Sequence, residues 1–387
     1  MPDRRIEGLE NYLLTVIEDR RSGRFAALLR FGLKQLSLVF ASIVQIRLWL
    51  YARGLFRHHT LGCQVISVGN LTVGGTGKTP VVEIFARSLQ RQGRNVAILS
   101  RGYKRDKPPF LARLARRFSF RKDADPPLVV SDGQRLLLDS TTGGDEPYLL
   151  ASNLPNVKVL VDKDRVKAGR YAIEKLGCDT LLLDDGFQYL RLKHWADIVL
   201  VDRTNPFGNR RLLPRGILRE PIRNIKRASF IFITKSSGDG APDLRKTLRE
   251  LNPKAEIIEC RHSPKYLRDV FTGEKKGLEH LRDLEIGAVS GIAAPKGFED
   301  ELVRLGAKVI YHKRYADHHR YTQQELLDAI NRSLQRGARA IVTTEKDAVR
   351  FPMIERRDLP IYFLRVEIEL LSGEEDFHAC ISRICFK

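Results

Sequence analysis

The sequence predicts an α/β fold in which a mostly parallel sheet is flanked by helices. Short, almost wholly apolar runs recur along the 387-residue chain, helical stretches separate several of them, and a glycine-rich loop joins the first run to the helix that follows it. Such runs are typical of strands that a parallel sheet buries on both faces. We also expect an amphipathic helix before the sheet begins and a smaller α/β lobe at the C-terminal end.

The first strand–loop–helix–strand unit begins near residue 63. Residues 63–68 form an apolar run, the helix "PVVEIFARSLQRQG" carries apolar residues on one face and stops near Gly93, and "NVAILS" is the next strand. This order predicts two parallel strands joined by a crossover helix. Further strands are predicted at 157–162, 180–185, 197–202, 230–234, 286–290 and 340–347. The predicted regions are an N-terminal helical region at 1–60, a core domain at 61–228 and a C-terminal lobe at 229–387.

The chain is strongly basic, with a formal net charge of +20. An excess of this size indicates a polyanionic partner, which is either a nucleic acid or an anionic membrane surface. Hydrophobic residues make up 43% of the chain, enough for a substantial core. The five cysteines are an odd number and include no CxxC pair, so neither a disulfide framework nor a zinc site is expected, and a reducing compartment fits.

The N-terminal region lacks the features of a signal peptide, because acids occur throughout and no short apolar stretch precedes a small-residue cleavage site. Residues 25–57 are apolar in the middle and basic along their length, but only 12 uncharged residues lie between Lys34 and Arg47. A spanning helix needs about 20 such residues. Two interpretations remain open: a helix that lies in a membrane interface, and a long amphipathic helix packed on the core.

Two segments concentrate the positive charge. Residues 101–122 carry nine Lys or Arg against one acid, and residues 203–227 carry eight Lys or Arg against Glu220. Charge runs are usually solvated loops. The alternative is that these segments face an anionic substrate or a membrane.

The glycine-rich loop reads Thr72-Val73-Gly74-Gly75-Thr76-Gly77-Lys78-Thr79, between the first strand and its helix. In this context the glycines let backbone N–H groups surround a phosphate at the N-terminus of a helix, which is a P-loop. Lys78 is then expected to reach the β- and γ-phosphates, and Thr79 to hold Mg²⁺. The usual pattern has glycine where this chain has Thr72. A glycine-rich turn without a ligand is the alternative.

Several acids and a histidine pair supply candidates for the remaining chemistry. Asp184 and Asp185 end an apolar strand, where a carboxylate can hold Mg²⁺ or simply belong to a turn. Asp145 and Glu146 precede a helix, where an aspartate can also be an N-cap. In "YADHHRY", His318 could orient an aspartate that takes a proton from a hydroxyl, although a lone histidine is more often structural.

Taken together, these motifs resemble the tetraacyldisaccharide 4'-kinases, the lipid A 4'-kinases of Gram-negative bacteria. The matching stretches run in order from about residue 63 to 350: "SVGNLTVGGTGKTP", "SRGYKR", "GDEPYLLA", "DRVKAG", "LDDGFQ", "LLPRGILREP", "ADHH" and "TTEKDAV". The resemblance implies a P-loop NTPase-type fold and ATP-dependent phosphorylation of the 4'-hydroxyl of a lipid A disaccharide 1-phosphate. It also implies a monotopic enzyme on the cytoplasmic face of the inner membrane, bound to an anionic surface, with no protein partner expected.

The resemblance also implies roles for particular residues. Asp145 resembles the base that takes the hydroxyl proton, with His318 as its partner, while Lys78 and Thr79 bind ATP phosphates and Mg²⁺. Asp184 and Asp185 fall on positions that look catalytic, Arg165, Arg219 and Glu220 on positions that look substrate-binding, and Glu146 joins Thr79 and Asp184 as a candidate metal ligand. The basic insert at about 104–140 departs from the family pattern.

Two other functions are considered. A P-loop NTPase switch would need a base-specificity motif, which "ITKS" at 233–236 and "TTEKD" resemble only faintly. A nucleic-acid-stimulated ATPase would interleave aromatic residues with basic ones, as Phe110, Phe118 and Phe120 are interleaved in the basic insert. Nucleic acid is nevertheless not the expected partner.

Overall fold

A computed structural model of the protein describes residues 12–13, 15–17, 19–102 and 125–385. Most of the basic segment at 101–122 therefore lies outside the described residues. By backbone contacts the chain forms two compact units, each assembled from separate stretches of sequence. The first unit takes Met1–Lys78, Leu183–Arg261 and Leu370–Ile384, and the second takes Thr79–Leu182, His262–Glu369 and Cys385–Lys387. These units do not follow the boundaries at 60 and 228, and the division into three functional regions stays a prediction.

Helices and strands alternate along most of the described chain. The helices are α1 (Arg24–Ala52), α2 (Lys78–Arg91), α3 (Ser140–Gly143), α4 (Asp145–Asn153), α5 (Arg165–Leu176), α6 (Pro242–Leu251), α7 (Pro295–Arg304), α8 (Gln323–Gln335), α9 (Glu345–Ala348) and α10 (Glu374–Cys385). The strands are β1 (Gln64–Asn70), β2 (Val96–Ser100), β3 (Leu128–Ser131), β4 (Lys158–Val161), β5 (Thr180–Asp184), β6 (Ala196–Asp202), β7 (Phe230–Thr234), β8 (Glu256–Asp269), β9 (Lys275–Lys276), β10 (Glu285–Ser290), β11 (Lys308–Arg314), β12 (Ala340–Thr344) and β13 (Ile361–Ser372).

The first unit contains parallel strands in the order β8–β7–β6–β1. Every residue of β7 and nearly every residue of β1 and β6 is buried, which explains why these strands are continuous apolar runs rather than alternating ones. Their side chains pack with Leu248 of α6 and with Phe187 and Leu218 from the loops. The parallel arrangement brings the carboxyl ends of these strands to one edge of the sheet, where the glycine-rich loop follows β1.

Helix α1 belongs to the first unit and has 29 residues, of which only Ala26 and Ser37 are buried. The Ser37 hydroxyl donates a hydrogen bond to the carbonyl of Leu212 (2.6 Å), and Arg47 donates one to the carbonyl of Gln188 (2.9 Å). The large apolar side chains of the helix are exposed: Phe25, Leu28, Phe31, Leu36, Leu38, Val39, Ile43, Ile46 and Trp49. The helix is therefore anchored through a few polar contacts while its apolar surface faces outward, which does not fit a helix packed on the core.

By length and composition, α1 could also cross a membrane. Its most apolar stretch of 18 residues has a mean hydropathy of 1.5, and only 6% of that stretch is buried. The sequence argument against a spanning helix counted only the 12 uncharged residues between Lys34 and Arg47. The mean hydropathy of the 18-residue stretch is nevertheless high, although basic residues occur along the helix. Within the described residues this is the one helix with these properties.

The second unit contains two groups of strands. In one group the order is β11–β10–β12–β13, all parallel, and α8 covers it through Leu326, Ala329 and Ile330. In the other, β2 and β4 are parallel and β3 runs antiparallel to β4. The strand predicted at 340–347 ends earlier, at Thr344. Its side chain accepts a hydrogen bond from the Asp347 N–H, which caps the short helix α9 and ends the strand.

Candidate active site

The glycine-rich loop has the backbone that its glycines permit. Gly74 has φ 111° and Gly77 has φ 80°, in the region that favours glycine. A Cβ atom placed on Gly75 would meet nothing within 4 Å, and Gly75 has an ordinary φ. The loop therefore leaves open space beside Gly75, immediately before the N-terminus of α2.

Neighbouring segments of the first unit fasten this loop on two sides. Thr72 pairs with Leu218, and the Val73 N–H donates a hydrogen bond to the carbonyl of Ile217 (2.7 Å). On the other side, the Thr234 hydroxyl at the end of β7 donates to the carbonyl of Thr76 (2.9 Å). The "LLPRGILREP" segment thus contributes a backbone support for the loop, independent of any charge that it carries.

Lys78 is held by Asn70, the last residue of β1, and by Asp185, which follows β5. Its Nζ lies 3.4 Å from Oδ1 of Asn70 and 3.7 Å from Oδ1 of Asp185. Asp185 also accepts two hydrogen bonds from Nη1 of Arg219, both 2.8 Å long, and adopts the left-handed backbone region at φ 56°. Asp185 is therefore an anion between two cations, at the point where the loop meets the "LDDGFQ" turn.

Three buried side chains carry oxygen atoms of the kind that suits a magnesium ion. Thr79 is buried in the first turn of α2, Asp184 is buried at the end of β5, and the Thr76 hydroxyl is buried with no hydrogen-bond partner among the described residues. The first turn of α2 contains no acid, so its N-terminus can attract an anion. Oxygen donors of this kind fit Mg²⁺, which usually keeps waters and phosphate oxygens as its other ligands.

Within the described ranges, no group of three or more His, Cys, Asp or Glu side chains could hold a metal ion. The candidate ligands include only two acids, and one of these, Glu146, accepts a hydrogen bond from Lys346 Nζ at 3.0 Å. The metal-binding role of Thr79, Glu146 and Asp184 stays a prediction.

In the second unit, Asp145 lies among three basic side chains. Its Oδ2 accepts a hydrogen bond from Arg350 Nε (2.7 Å) and lies 3.4 Å from His318 Nδ1, while its Oδ1 lies 3.3 Å from Arg320 Nη2. We call these four residues the Asp145 cluster. Asp145 is only 9% exposed, although it is the first residue of α4. The preceding Gly144 has φ 95° and brings the chain around into the helix.

The cluster keeps Asp145 ionised. Burial by itself raises the pKa of a carboxyl, but the hydrogen bond with His318 and the charge of Arg350 outweigh it, so the pKa of Asp145 lies below its usual range. A base must be unprotonated before it can accept a proton. The structure thus brings the predicted base and its predicted histidine partner together, in the correct protonation state for the base.

The predicted substrate-binding residues occupy different environments. Arg165 is buried at the start of α5, directly after its N-cap residue Asp164. Arg219 pairs with Asp185 as described above. Glu220 is buried and accepts hydrogen bonds from Arg227 (2.7 and 2.9 Å) and Asn224 (2.9 Å), so its carboxylate is engaged inside the first unit. The roles of all three residues stay predictions.

Comparison with known families decides between the functions that the sequence left open. The family model described as tetraacyldisaccharide-1-P 4'-kinase matches residues 29–385. The chain belongs to this family. Among curated relatives, the tetraacyldisaccharide 4'-kinase of Anaeromyxobacter dehalogenans (strain 2CP-C) is 39% identical over 367 residues, which cover 94% of this chain and 92% of the relative.

Other members agree over the same length. The tetraacyldisaccharide 4'-kinase of Halothermothrix orenii is 33% identical over 392 residues, covering 97% of this chain and 98% of the relative. LpxK is the short name of the matched 4'-kinase family. A solved LpxK structure from Aquifex aeolicus, in complex with ATP, superimposes with a TM-score of 0.71 at 30% identity, covering 92% of this chain and all of that one. The 4'-kinase family therefore accounts for both the sequence and the predicted P-loop NTPase-type fold.

Three residues of these sites were not predicted from the sequence. Arg350 and Arg320 contact Asp145, and Asn70 contacts Lys78. Asn70 stands inside the quoted stretch "SVGNLTVGGTGKTP", and Arg350 follows "TTEKDAV" directly. The motifs could therefore have pointed to Asn70 and Arg350. Their composition alone, however, does not specify which side chains contact the site.

Proposed function

We propose that this protein transfers the γ-phosphoryl group of ATP to the 4'-hydroxyl of a tetraacyldisaccharide 1-phosphate in lipid A biosynthesis, giving lipid IVA. The observation that carries the proposal is the match of the 4'-kinase family model over residues 29–385, a span that contains the glycine-rich loop and the Asp145 cluster. Neither an NTPase switch nor a nucleic-acid-stimulated ATPase is favoured by any of the comparisons.

The glycine-rich loop, Thr72 to Thr79, is the proposed site for the ATP phosphates. Support comes from the open space beside Gly75, the buried Thr76 hydroxyl and the acid-free N-terminus of α2. Lys78 would balance negative charge on the transferred group. Asp185 and Asn70 hold the Lys78 ammonium, so that it does not have to be ordered when ATP binds.

Mg²⁺ is the expected companion of ATP, with Thr79 and Asp184 as the proposed ligands and Glu146 as a further candidate. When bound, the ion neutralises charge on the phosphates. Because only two acids are candidate ligands, phosphate and water oxygens would complete the coordination shell.

Asp145 is the proposed base for the acceptor hydroxyl. A positioned base contributes about 10²–10⁴-fold to a reaction of this kind. Asp145 meets the requirement of remaining ionised, and His318 is proposed to orient it. Arg165, Arg219 and Glu220 are the proposed contacts to the lipid acceptor, whose phosphate suits arginine.

We further propose that the protein works at the cytoplasmic face of the bacterial inner membrane, held by its N-terminal region. The exposed apolar surface of α1 supports this, as does the basic character of the chain. Lys and Arg near an anionic leaflet each contribute about 1 kcal/mol of attraction.

Phosphate transfer from γ-labelled ATP tests the function. Wild-type protein is incubated with tetraacyldisaccharide 1-phosphate in mixed micelles, and in parallel with single- and double-stranded DNA. Label in the lipid, at the 4' position, is the expected result. Hydrolysis without labelled lipid would indicate an NTPase switch, and hydrolysis that rises with DNA would indicate the nucleic-acid-stimulated ATPase.

A further inference from the structure

Arg350 is the most deeply buried charged member of the Asp145 cluster. Its side chain is 1% exposed. Arg350 follows α9 and comes directly after the "TTEKDAV" motif, to which no role has yet been given. A buried guanidinium is costly unless each of its donors finds an acceptor. The contacts of Arg350 therefore show which acceptors the fold provides for its donors.

Two of these contacts fix the position of Nη1 of Arg350. Its Nη1 donates hydrogen bonds to the carbonyl of Gly291 (3.3 Å) and to Oδ1 of Asp347 (3.2 Å). Asp347 is itself fixed, because it accepts hydrogen bonds from the hydroxyls of Tyr321 (3.0 Å) and Thr344 (2.6 Å). A planar guanidinium held in this way presents its remaining donors in fixed directions.

The remaining donors face the proposed catalytic pair. Nε lies 2.7 Å from Oδ2 of Asp145, and Nη2 lies 3.2 Å from Nδ1 of His318. Nδ1 of His318 therefore lies between the Asp145 carboxylate and the Arg350 guanidinium, 3.4 Å from Oδ2 and 3.2 Å from Nη2. Arg350 thus contacts both members of the pair, in addition to the contact that they make with each other.

We propose that Arg350 is a positioning residue for phosphoryl transfer, which fixes the direction of the Asp145 carboxylate and holds the His318 imidazole beside it. The proposal rests on the proposed function of Asp145 as the base. The proposal also gives the "TTEKD" segment a structural role. Thr344 fixes Asp347, and Asp347 in turn fixes the guanidinium that contacts Asp145.

Other charged groups near the pair do not replace Arg350. Arg320 approaches Oδ1 of Asp145 at 3.3 Å, but its side chain is 39% exposed and also reaches the Ser140 carbonyl. Asp317 lies 3.9 Å from Nε2 of His318 and is about half exposed. Only Arg350, among the described residues, contacts Asp145 and His318 at once.

The kinetic test compares Arg350→Gln, Arg350→Lys and a matched control, Arg365→Gln. Arg365 is another buried arginine of the second unit, and it pairs with Glu83 and Glu345 rather than with a member of the Asp145 cluster. We expect Arg350→Gln to lower kcat about 10²-fold while the KM for ATP changes less than twofold, and Arg350→Lys to recover part of the loss. Arg365→Gln should lower the melting temperature while kcat changes far less. Equal kcat losses in both glutamine variants would reduce Arg350 to a structural arginine.

A spectroscopic test follows the His318 imidazole directly. In protein labelled with ¹⁵N-histidine, the His318 resonances are assigned by their absence in His318→Gln. The His318 resonances should shift in Arg350→Gln and stay in place in Arg365→Gln, because only the first substitution removes a contact to the imidazole. Resonances of His318 that stay in place in Arg350→Gln would overturn the inference. A shift in Arg350→Gln, together with wild-type protein that labels no lipid, would instead overturn the proposed function.

Discussion

The Asp185 carboxylate lies 3.7 Å from the ammonium of Lys78, so the lysine of the glycine-rich loop has a counter-ion within the first unit. We expect Lys78→Ala to lower kcat at saturating ATP by about 10²–10³-fold, because a preorganised cation on the transferring group is lost. Steady-state kinetics with lipid acceptor measures this. Lys254→Ala, at an exposed lysine, is the control, and a Lys78→Ala variant with near-normal turnover would contradict the role given to Lys78.

The open space beside Gly75 allows a substitution that affects nucleotide binding without affecting folding. Gly75→Ala adds a methyl group that meets no protein atom within 4 Å, so the melting temperature should stay unchanged. If phosphates fill that space, the KM for ATP should rise at least tenfold, which is about 1.4 kcal/mol of lost binding. Gly297→Ala, equally open but in α7, should leave the KM unchanged. An unchanged ATP affinity in Gly75→Ala would place the phosphates elsewhere.

The exposed apolar residues of α1 predict dependence on a membrane. Replacing Phe31, Leu38 and Ile46 with serine should weaken binding to phosphatidylglycerol vesicles at least tenfold, since it removes apolar area but spares the contacts of Ser37 and Arg47. The ATP site should stay intact. Deletion of roughly the first 58 residues should have the same effect and raise the KM for lipid.

Exposed apolar residues elsewhere supply the control for this experiment. Serine at Leu137, Val303 and Met353 removes a similar kind of surface from the second unit and should leave vesicle binding unchanged. Undiminished binding by both α1 variants would shift the docking role to residues 101–122 or 203–227.

Asp145 and His318 should act as one unit. Asp145→Ala and His318→Ala should each lower kcat, by about 10²–10⁴-fold for Asp145, with much smaller effects on ATP binding. The double variant should be scarcely worse than Asp145→Ala alone, because residues that act together show non-additive losses. If the losses multiplied fully, His318 would have a separate role, and Asp184 or Asp185 would become the candidate base.

Asp202 predicts a specific dependence of stability on pH. Burial raises the pKa of a carboxyl, but hydrogen bonds from Lys235 and Thr204 outweigh it, so the pKa of Asp202 is lowered from its ordinary 3.8. Since the folded pKa lies below the unfolded one, the stabilisation is complete above the ordinary value and is lost as pH falls through the folded pKa. Asp202→Asn should cost about 1–3 kcal/mol at neutral pH.

Denaturant unfolding between pH 7 and pH 3 measures this difference. The gap between wild type and Asp202→Asn should be constant at neutral pH and shrink below about pH 4. Asp300→Asn, at an exposed aspartate in α7, should show almost no gap at any pH. A gap for Asp202→Asn that persists undiminished to pH 3 would show that its carboxyl is not stabilised in the ionised form.

Much of the fold was predictable because the strands of the first unit are continuous apolar runs. β6 and β7 appear at almost the predicted positions, since a parallel sheet buries both of their faces. β8 and β13 were missed. Their burial is interrupted by half-exposed and exposed positions, and the "RHSPK" stretch of β8 has the composition of a loop. Strands with one partly exposed face carry less of the apolar signal on which the prediction depended.

The site was predictable as far as its motifs named chemically active residues. Asp145 and His318 lie 173 positions apart, and the family resemblance, which linked their motifs, led us to expect the 3.4 Å contact between them. Their catalytic role stays a prediction. Arg350 lies 205 positions from Asp145, and an arginine in a basic chain carries no local sign that it will be buried against a carboxylate. Such a contact depends on tertiary packing, which the sequence pattern does not specify.

Gly69 and Phe187 meet so closely that a Cβ atom on Gly69 would lie 2.7 Å from the Cβ atom of Phe187. Gly69 lies in β1, shortly before the glycine-rich loop, and Phe187 belongs to the "LDDGFQ" turn that contains Asp185. The two stretches therefore meet with no room for another atom. The backbone N of Phe187 would also lie 2.9 Å from that Cβ atom, and no replacement of Phe187 removes a backbone atom. A library that randomises Gly69 and Phe187 together should therefore return glycine at position 69 in every active clone, whatever residue stands at position 187.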